Sequence, residues 1–254
     1  MIFSSHFRTG VVLVLGLVIG VSLLVWRAQV QTAIRFLISV TPHPPHFVTE
    51  GVSVSDRVKE FGSVVRGRLE PDFKRAGVPY PPAGLALVAL KQEKMLEVYA
   101  AGQDAKYRLI RSYPILAASG HAGPKLKEGD YQVPEGLYRI ESLNPNSNFH
   151  LALRVNYPNE FDRANAIVEH REELGGDIMI HGSAVSIGCL AMGNEAAEDL
   201  FVIAALTGIK NIKVIMSPQD FRVKEALVPP ANAPVWLGGL YQQIRNELGH
   251  YPSR

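Results

Sequence analysis

The run Asp177-Ile178-Met179-Ile180-His181-Gly182-Ser183-Ala184-Val185-Ser186-Ile187-Gly188-Cys189 holds a short apolar stretch, a histidine at its end, and a small-residue loop leading to the chain's one cysteine. The apolar part reads as a buried strand that delivers His181 to the edge of a core, where a side chain can emerge into a cleft. A neutral thiol attacks carbonyls poorly and a thiolate attacks them well. A cysteine enzyme therefore needs an imidazole to take the proton and later return it. Fully extended, the segment from His181 to Cys189 would hold the two side chains roughly 26 Å apart, so a working pair requires the loop to fold back. Gly182 and Gly188 supply the backbone freedom for that return, and Ser183 and Ser186 can satisfy loop backbone groups or hold the imidazole tautomer. On this reading His181 deprotonates Cys189, the thiolate attacks an amide carbonyl, and backbone N–H groups near Gly188 and Cys189 hold the oxyanion. The competing reading makes Cys189 a small buried hydrophobe and His181 a satisfied strand-end histidine.

Outward from this segment the chain alternates short apolar runs with turn residues, the pattern of a β core. The runs are Leu85 to Leu90, Met95 to Ala100, Leu109 to Leu116, Leu137 to Leu143, Leu151 to Val155, Ile178 to His181 and Ile212 to Met216. Gly102-Gln103-Asp104, Gly123-Pro124, Gly129-Asp130 and Pro134-Glu135-Gly136 punctuate them as reversals. Three helices are expected around this core. One starts at Ser55, carries Val58, Phe61, Val65 and Leu69 on one face, and ends near Pro71. A second has Asn194 as N-cap and Gly208 as its end, and a third places Trp236, Leu240, Ile244 and Leu248 on one stripe.

At the N-terminus an apolar stretch, Val11 to Trp26, lies between Arg8 and Arg27 without a good cleavage site and reads as an uncleaved membrane anchor. Thr41-Pro42-His43-Pro44-Pro45-His46 reads as a stiff linker, and its two histidines have no acid or thiol nearby to complete a metal site. The resulting organisation is 1–40 anchor and juxtamembrane segment, 41–54 linker, 55–83 helical lead-in, 84–218 catalytic domain and 219–254 helical extension. The 254 residues carry a formal net charge of +2, which argues against a nucleic-acid partner. A single cysteine excludes an internal disulfide.

The string Ile180-His181-Gly182-Ser183 through Ser186-Ile187-Gly188-Cys189-Leu190-Ala191-Met192 resembles the active-site segment of the L,D-transpeptidase catalytic domain, or YkuD domain, and looks most like its YafK-like branch. The resemblance covers roughly 84–218. Ser119-Gly120-His121-Ala122-Gly123-Pro124-Lys125, Glu128-Gly129-Asp130 and Val133-Pro134-Glu135-Gly136-Leu137-Tyr138 are similar to that family's elements, as is Asn156-Tyr157-Pro158-Asn159 with Asp162-Arg163-Ala164. Valine stands at the usual threonine position, Ile187 replaces a second histidine, and the family's Arg or Asn shortly after the cysteine is absent. Asn194 is the candidate to replace it, against its competing role as a helix cap.

The resemblance implies a mainly β, barrel-like or sandwich-like domain with flanking helices. It implies a Cys189 acyl-enzyme with His181 as acid and base, acting on peptidoglycan stem peptides or a wall-attached protein, with neither metal nor organic cofactor. Tyr157 would line the donor pocket, with ordinary packing as its alternative. The catalytic domain would face the periplasm from a single-pass anchor in the inner membrane, or be released there after signal cleavage. Transfer to an amine and hydrolysis by water both remain open, as does a peptidoglycan-binding module without activity. A sortase-like arrangement is the competitor within cysteine chemistry, with His121 and Arg222 as its recruits, but their surroundings do not resemble it.

Overall fold

The apolar runs of the sequence become β1 (Gly84–Leu90), β2 (Met95–Ala101), β3 (Tyr107–Pro114), β4 (Gly136–Ser147), β5 (His150–Val155), β6 (Met179–His181) and β8 (Ile212–Ser217) of a computed structural model. The two-residue β7 (Leu190–Ala191) completes an eight-stranded sheet in the order β3-β2-β1-β8-β4-β5-β6-β7. Residues 51–225, 227–229 and 231–253 are described, and Gly51–Arg254 forms one unit. The expected membrane segment lies outside the described residues. Among those described, no helix is long and apolar enough to cross a membrane.

Neighbouring strands are antiparallel except β1 with β8 and β6 with β7. The sheet curls until the chain after β3 meets the last strand: Ala117 and Ala191 form an antiparallel bridge, Ala191 N–H donating to Ala117 C=O at 2.9 Å and Leu116 N–H to Ala191 C=O at 2.8 Å. This single bridge is the barrel-like closure, and it falls two residues from Cys189.

β1 is apolar at every position because it is covered on both faces. Leu85, Leu87 and Ala89 join the larger core, while Ala86, Val88 and Leu90 pack under the C-terminal helix.

Four helices flank the sheet among the described residues: α1 (Val54–Ala76), α2 (Glu160–Val168), α3 (Asn194–Thr207) and α4 (Leu237–Leu248). Three sequence expectations need correction here. The cap of α1 is Ser53 rather than Ser55, in a reciprocal capping box with Asp56. Pro71 lies inside α1 instead of ending it. The turns beyond it hold Asp72 and Phe73, both buried. Arg111 reaches Asp72 at 2.6 Å and donates at 2.7 Å to the Arg68 carbonyl, so tertiary contacts outweigh the backbone bond that proline removes. Asn194 is not the cap of α3: Gly193 occupies that position and Asn194 opens the helix.

The helix α2 has no counterpart in the sequence expectations. A capping box between Asn159 and Asp162 starts it, and Ala166 is its one buried residue, so it carries little apolar periodicity to read. Helix α4 matches its stripe, burying Leu237, Leu240, Tyr241, Ile244 and Leu248.

Candidate active site

The return of the loop that the sequence required is made by strand pairing. β6 and β7 lie parallel, with Ile180 opposite Leu190 and His181 opposite Ala191. Cys189 immediately precedes β7, and alternation puts residues 189 and 191 on one face, the face of His181. A strand spacing of ~4.8 Å and a two-residue rise of ~6.6 Å place the two backbone positions about 8 Å apart, close enough for their side chains to meet.

The loop between them is tied down from both sides. Met192 N–H donates to the His181 carbonyl and Gly193 N–H to the Ser183 carbonyl, each at 2.8 Å. Ser183, with φ of 64°, directs its own N–H to Asn194 Oδ1 at 2.9 Å. Asn194 is therefore a loop anchor, a third role beside the two the sequence offered. Gly182 is required for want of space: a β-carbon there would lie 2.6 Å from the Phe149 carbonyl oxygen and 2.7 Å from Asn194 Oδ1. Gly188 is required for conformation, its φ being 131°.

His181 is 2 % exposed. Its Nδ1 sits 2.6 Å from the Gly182 carbonyl oxygen. A carbonyl can only accept, so Nδ1 carries the proton and Nε2 keeps its lone pair. Burial pushes the imidazole below its ordinary 6.5, and the bond to Gly182 offsets only part of that. Phe149, at the tip of the β4–β5 hairpin, lies over the ring with centroids 4.7 Å apart and planes 30° apart.

Cys189 is half-buried, with Sγ 3.5 Å from the Asp177 carbonyl oxygen, to which the thiol donates. Burial pushes the thiol above its ordinary 9.0; a backbone bond to Met179 pulls it down, the Asp177 charge raises it and Lys125 lowers it. Both shifts favour uncharged partners, so the resting pair is thiol and imidazole rather than thiolate and imidazolium.

The expected oxyanion donors are occupied. Ser186 Oγ accepts from Cys189 N–H at 3.0 Å and Gly188 N–H at 3.3 Å, and donates to the Cys189 carbonyl at 2.6 Å. Ser186 thus closes the turn before the cysteine and leaves the imidazole to Gly182.

Tyr157 takes the packing alternative. It is 4 % exposed and its hydroxyl donates to the carbonyls of Lys125 and Leu174 at 3.3 and 3.2 Å. The sortase-like recruits are also elsewhere engaged. His121 accompanies Gln132 and the Ala122 carbonyl, and Arg222 is tied to Asp220 and Glu97.

A cleft of about 1080 Å³ is lined among others by His121, Lys127, Gln132, Arg171 and Tyr241, with Leu227, Val228, Asn232 and Leu237 of the C-terminal extension on one wall; neither Cys189 nor His181 is part of its lining. Gln132 joins it to the cysteine, because its carbonyl oxygen is 3.6 Å from where a Gly188 β-carbon would stand. No group of three or more His, Cys, Asp or Glu that could hold a metal ion occurs among the described residues.

Sequence reasoning missed Phe149 and the Asp177 carbonyl. The signal for Phe149 was an aromatic set in the turn-forming Asn146-Ser147-Asn148, where a hairpin tip has no packing use for it. Nothing in residue identity reveals a main-chain acceptor.

Residues 84–215 match the L,D-transpeptidase catalytic domain, YkuD. YafK of Escherichia coli strain K12 is 38 % identical over 141 residues, which are 54 % of this chain and 54 % of that protein. The chain thus spans about half the length of the curated relatives it matches. Among solved structures, the helical cell shape determining protein Pgp2 from Campylobacter jejuni is 25 % identical with a TM-score of 0.45, covering 54 % of this chain and 48 % of that one. L,D-transpeptidase 1 of Mycobacterium tuberculosis is 17 % identical with a TM-score of 0.31, covering 53 % and 62 %. The family match takes in β1 to β7, the first four residues of β8 and both members of the His181–Cys189 pair: this chain belongs to the L,D-transpeptidase catalytic domain family.

Proposed function

We propose that the protein is a peptidoglycan L,D-transpeptidase that forms an acyl-enzyme on Cys189 with His181 as general base and acid. The observation that supports this reading is the β6–β7 pairing, which sets Cys189 on the strand next to His181, whose Nδ1 is engaged by the Gly182 carbonyl and whose Nε2 keeps its lone pair.

The thiol turns from the Asp177 carbonyl to Nε2 when substrate excludes water from the site. Because burial penalises both ions, the proton passes to His181 as sulfur attacks the amide carbon, without a standing ion pair. The C–S bond forms and the carbonyl oxygen becomes an oxyanion. An oxyanion accepts the Gly188 and Cys189 N–H groups more strongly than a neutral hydroxyl does, so Ser186 rotates away and hands them over. His181 then gives its proton to the leaving amine as the C–N bond breaks. An acceptor amine attacks the thioester, loses a proton to His181, and releases the thiolate, which is reprotonated. The cleft reaching from Gln132 to the C-terminal extension receives a stem peptide. The Val11 to Trp26 stretch holds the domain at the inner membrane, facing the wall it modifies.

The test is incubation of purified protein with defined muropeptides and an acceptor amine, followed by mass spectrometry of protein and products. A Cys189 adduct with new cross-links or exchanged terminal residues supports transfer. Shortened peptides alone would replace transferase with hydrolase, and a folded protein that never forms the adduct would leave a binding module.

A further inference from the structure

The tip of the β4–β5 hairpin rests on both groups that define the base. Phe149 covers the imidazole of His181, and the Phe149 carbonyl and His150 β-carbon fill the space a side chain at residue 182 would need, beside the peptide of Gly182 whose carbonyl holds Nδ1. Phe149 is itself 42 % exposed, so burial of its own surface does not explain its place. A hairpin tip facing solvent is ordinarily free to move. This one is held by α1 and by Val52 just ahead of its cap. Asn146 exchanges two hydrogen bonds with the Val52 main chain, at 2.9 and 3.0 Å. Arg57 Nε donates to the Pro145 carbonyl at 3.0 Å. Phe61 meets His150 edge-on at 5.4 Å, and His150 Nε2 bonds Glu198 at 3.0 Å, which Arg68 also holds at 3.0 Å.

We propose that α1, which precedes the region matched to the family, is a clamp that holds the hairpin tip so that Phe149 fixes the position and tautomer of His181. Phe149 is then a positioning residue for the reaction proposed above. The ring removes water from one face of the imidazole, in keeping with the burial that disfavours its charged form. The other ionisable groups on the surrounding elements include Cys189 ahead of β7, Asp177 ahead of β6 and Glu141 of β4, both paired with Arg154 of β5, His150 on the hairpin, and Glu195, Glu198 and Asp199 on α3, the last held by Arg68. Of these, His150 and Glu198 satisfy one another.

The experiment uses the full chain with labelled histidine, following the ring carbons and nitrogens of His181 by NMR across pH, alongside turnover. Phe149→Ala should raise the His181 midpoint toward 6.5, mix the two tautomers, and lower kcat about tenfold with KM little changed. Phe149→Tyr should restore both spectrum and rate. The double variant Asn146→Ala, Arg57→Ala should reproduce the effect in reduced form. An unchanged His181 titration and tautomer in folded Phe149→Ala protein would overturn the positioning role, and an unchanged double variant would overturn the clamp. Should the alanine variant fail to fold, Phe149→Leu gives the same reading. The spectra need no substrate, so a wild-type protein without transfer or hydrolysis would sink the proposed function and leave this inference standing.

Discussion

Two ionisable clusters of the molecule are handled in opposite ways. Under the C-terminal helix, Arg222 meets Asp220 at 2.7 and 2.8 Å, Glu97 at 2.7 Å, the Tyr99 hydroxyl at 2.6 Å and the Pro252 carbonyl at 3.2 Å. Burial there works against the charges and the partners more than offset it. Arg222 is driven further into its charged form and Asp220 falls below the ordinary carboxylate range. At the active site His181 is buried and Cys189 half-buried, each bonded to a main-chain carbonyl and to no charged side chain, and desolvation is the largest influence holding both neutral. Fully paired charges are locked in one protonation state and serve as structure. Groups desolvated without a bonded counter-charge keep a proton to trade, which is what a reaction needs.

Substitution in the two clusters should separate these roles. Cys189→Ala should abolish adduct formation and lower turnover about ten thousandfold or more while the melting curve is kept. Residual activity near wild type would break the comparison at its centre. Arg222→Ala should do the reverse, costing about 3–5 kcal/mol of stability by removing the guanidinium that neutralises the Asp220 and Glu97 carboxylates. Cys189 alkylation in the remaining folded protein should stay normal, and a stability loss below about 1 kcal/mol in denaturant titration would show that this cluster is not structural.

The pH dependence sharpens the contrast further. A depressed imidazole stays a base below 6.5, so the acid limb of kcat/KM should fall below that value. A raised thiol means that alkylation by iodoacetamide in the absence of substrate should climb only above pH 9.0. Stability follows the same signs. The His181 contribution is present above 6.5 and lost as pH falls through its lower folded value. The Cys189 contribution is present below 9.0 and lost as pH rises through its higher one. A thiolate already formed at neutral pH would reverse this reading. The smallest effect is expected from Asn194→Ala. Loss of its bond to Ser183 should cost about 1 kcal/mol and about tenfold in rate through loop displacement, and an unchanged rate would leave the loop held by its backbone alone.

The sequence was legible where an element carries its own apolar spacing. Seven strands and the stripe of α4 fall where their runs predict, and His181 and Cys189 stood out by residue type. β7 escaped because Leu190 and Ala191 alone make no pattern. The helix α2 escaped because its start is written in capping chemistry, and Asn159 and Asp162 read equally well as part of a family motif. Ser186 and Tyr157 were noticed with two roles each, and spacing did not choose between them. A hydroxyl's partner is chosen by folds of the chain that spacing does not encode, and the carbonyls that Tyr157 holds come from two distant segments.

The group that orients His181 is the oxygen of Gly182, and every residue type carries that same oxygen. No substitution can delete it chemically, and no comparison of side chains among relatives can mark it as present or lost. A survey of variants in this protein would find the nucleophile and the base and report a dyad. The third participant would surface only as an unexplained intolerance at Gly182 and at the residues that keep its peptide plane turned toward the ring.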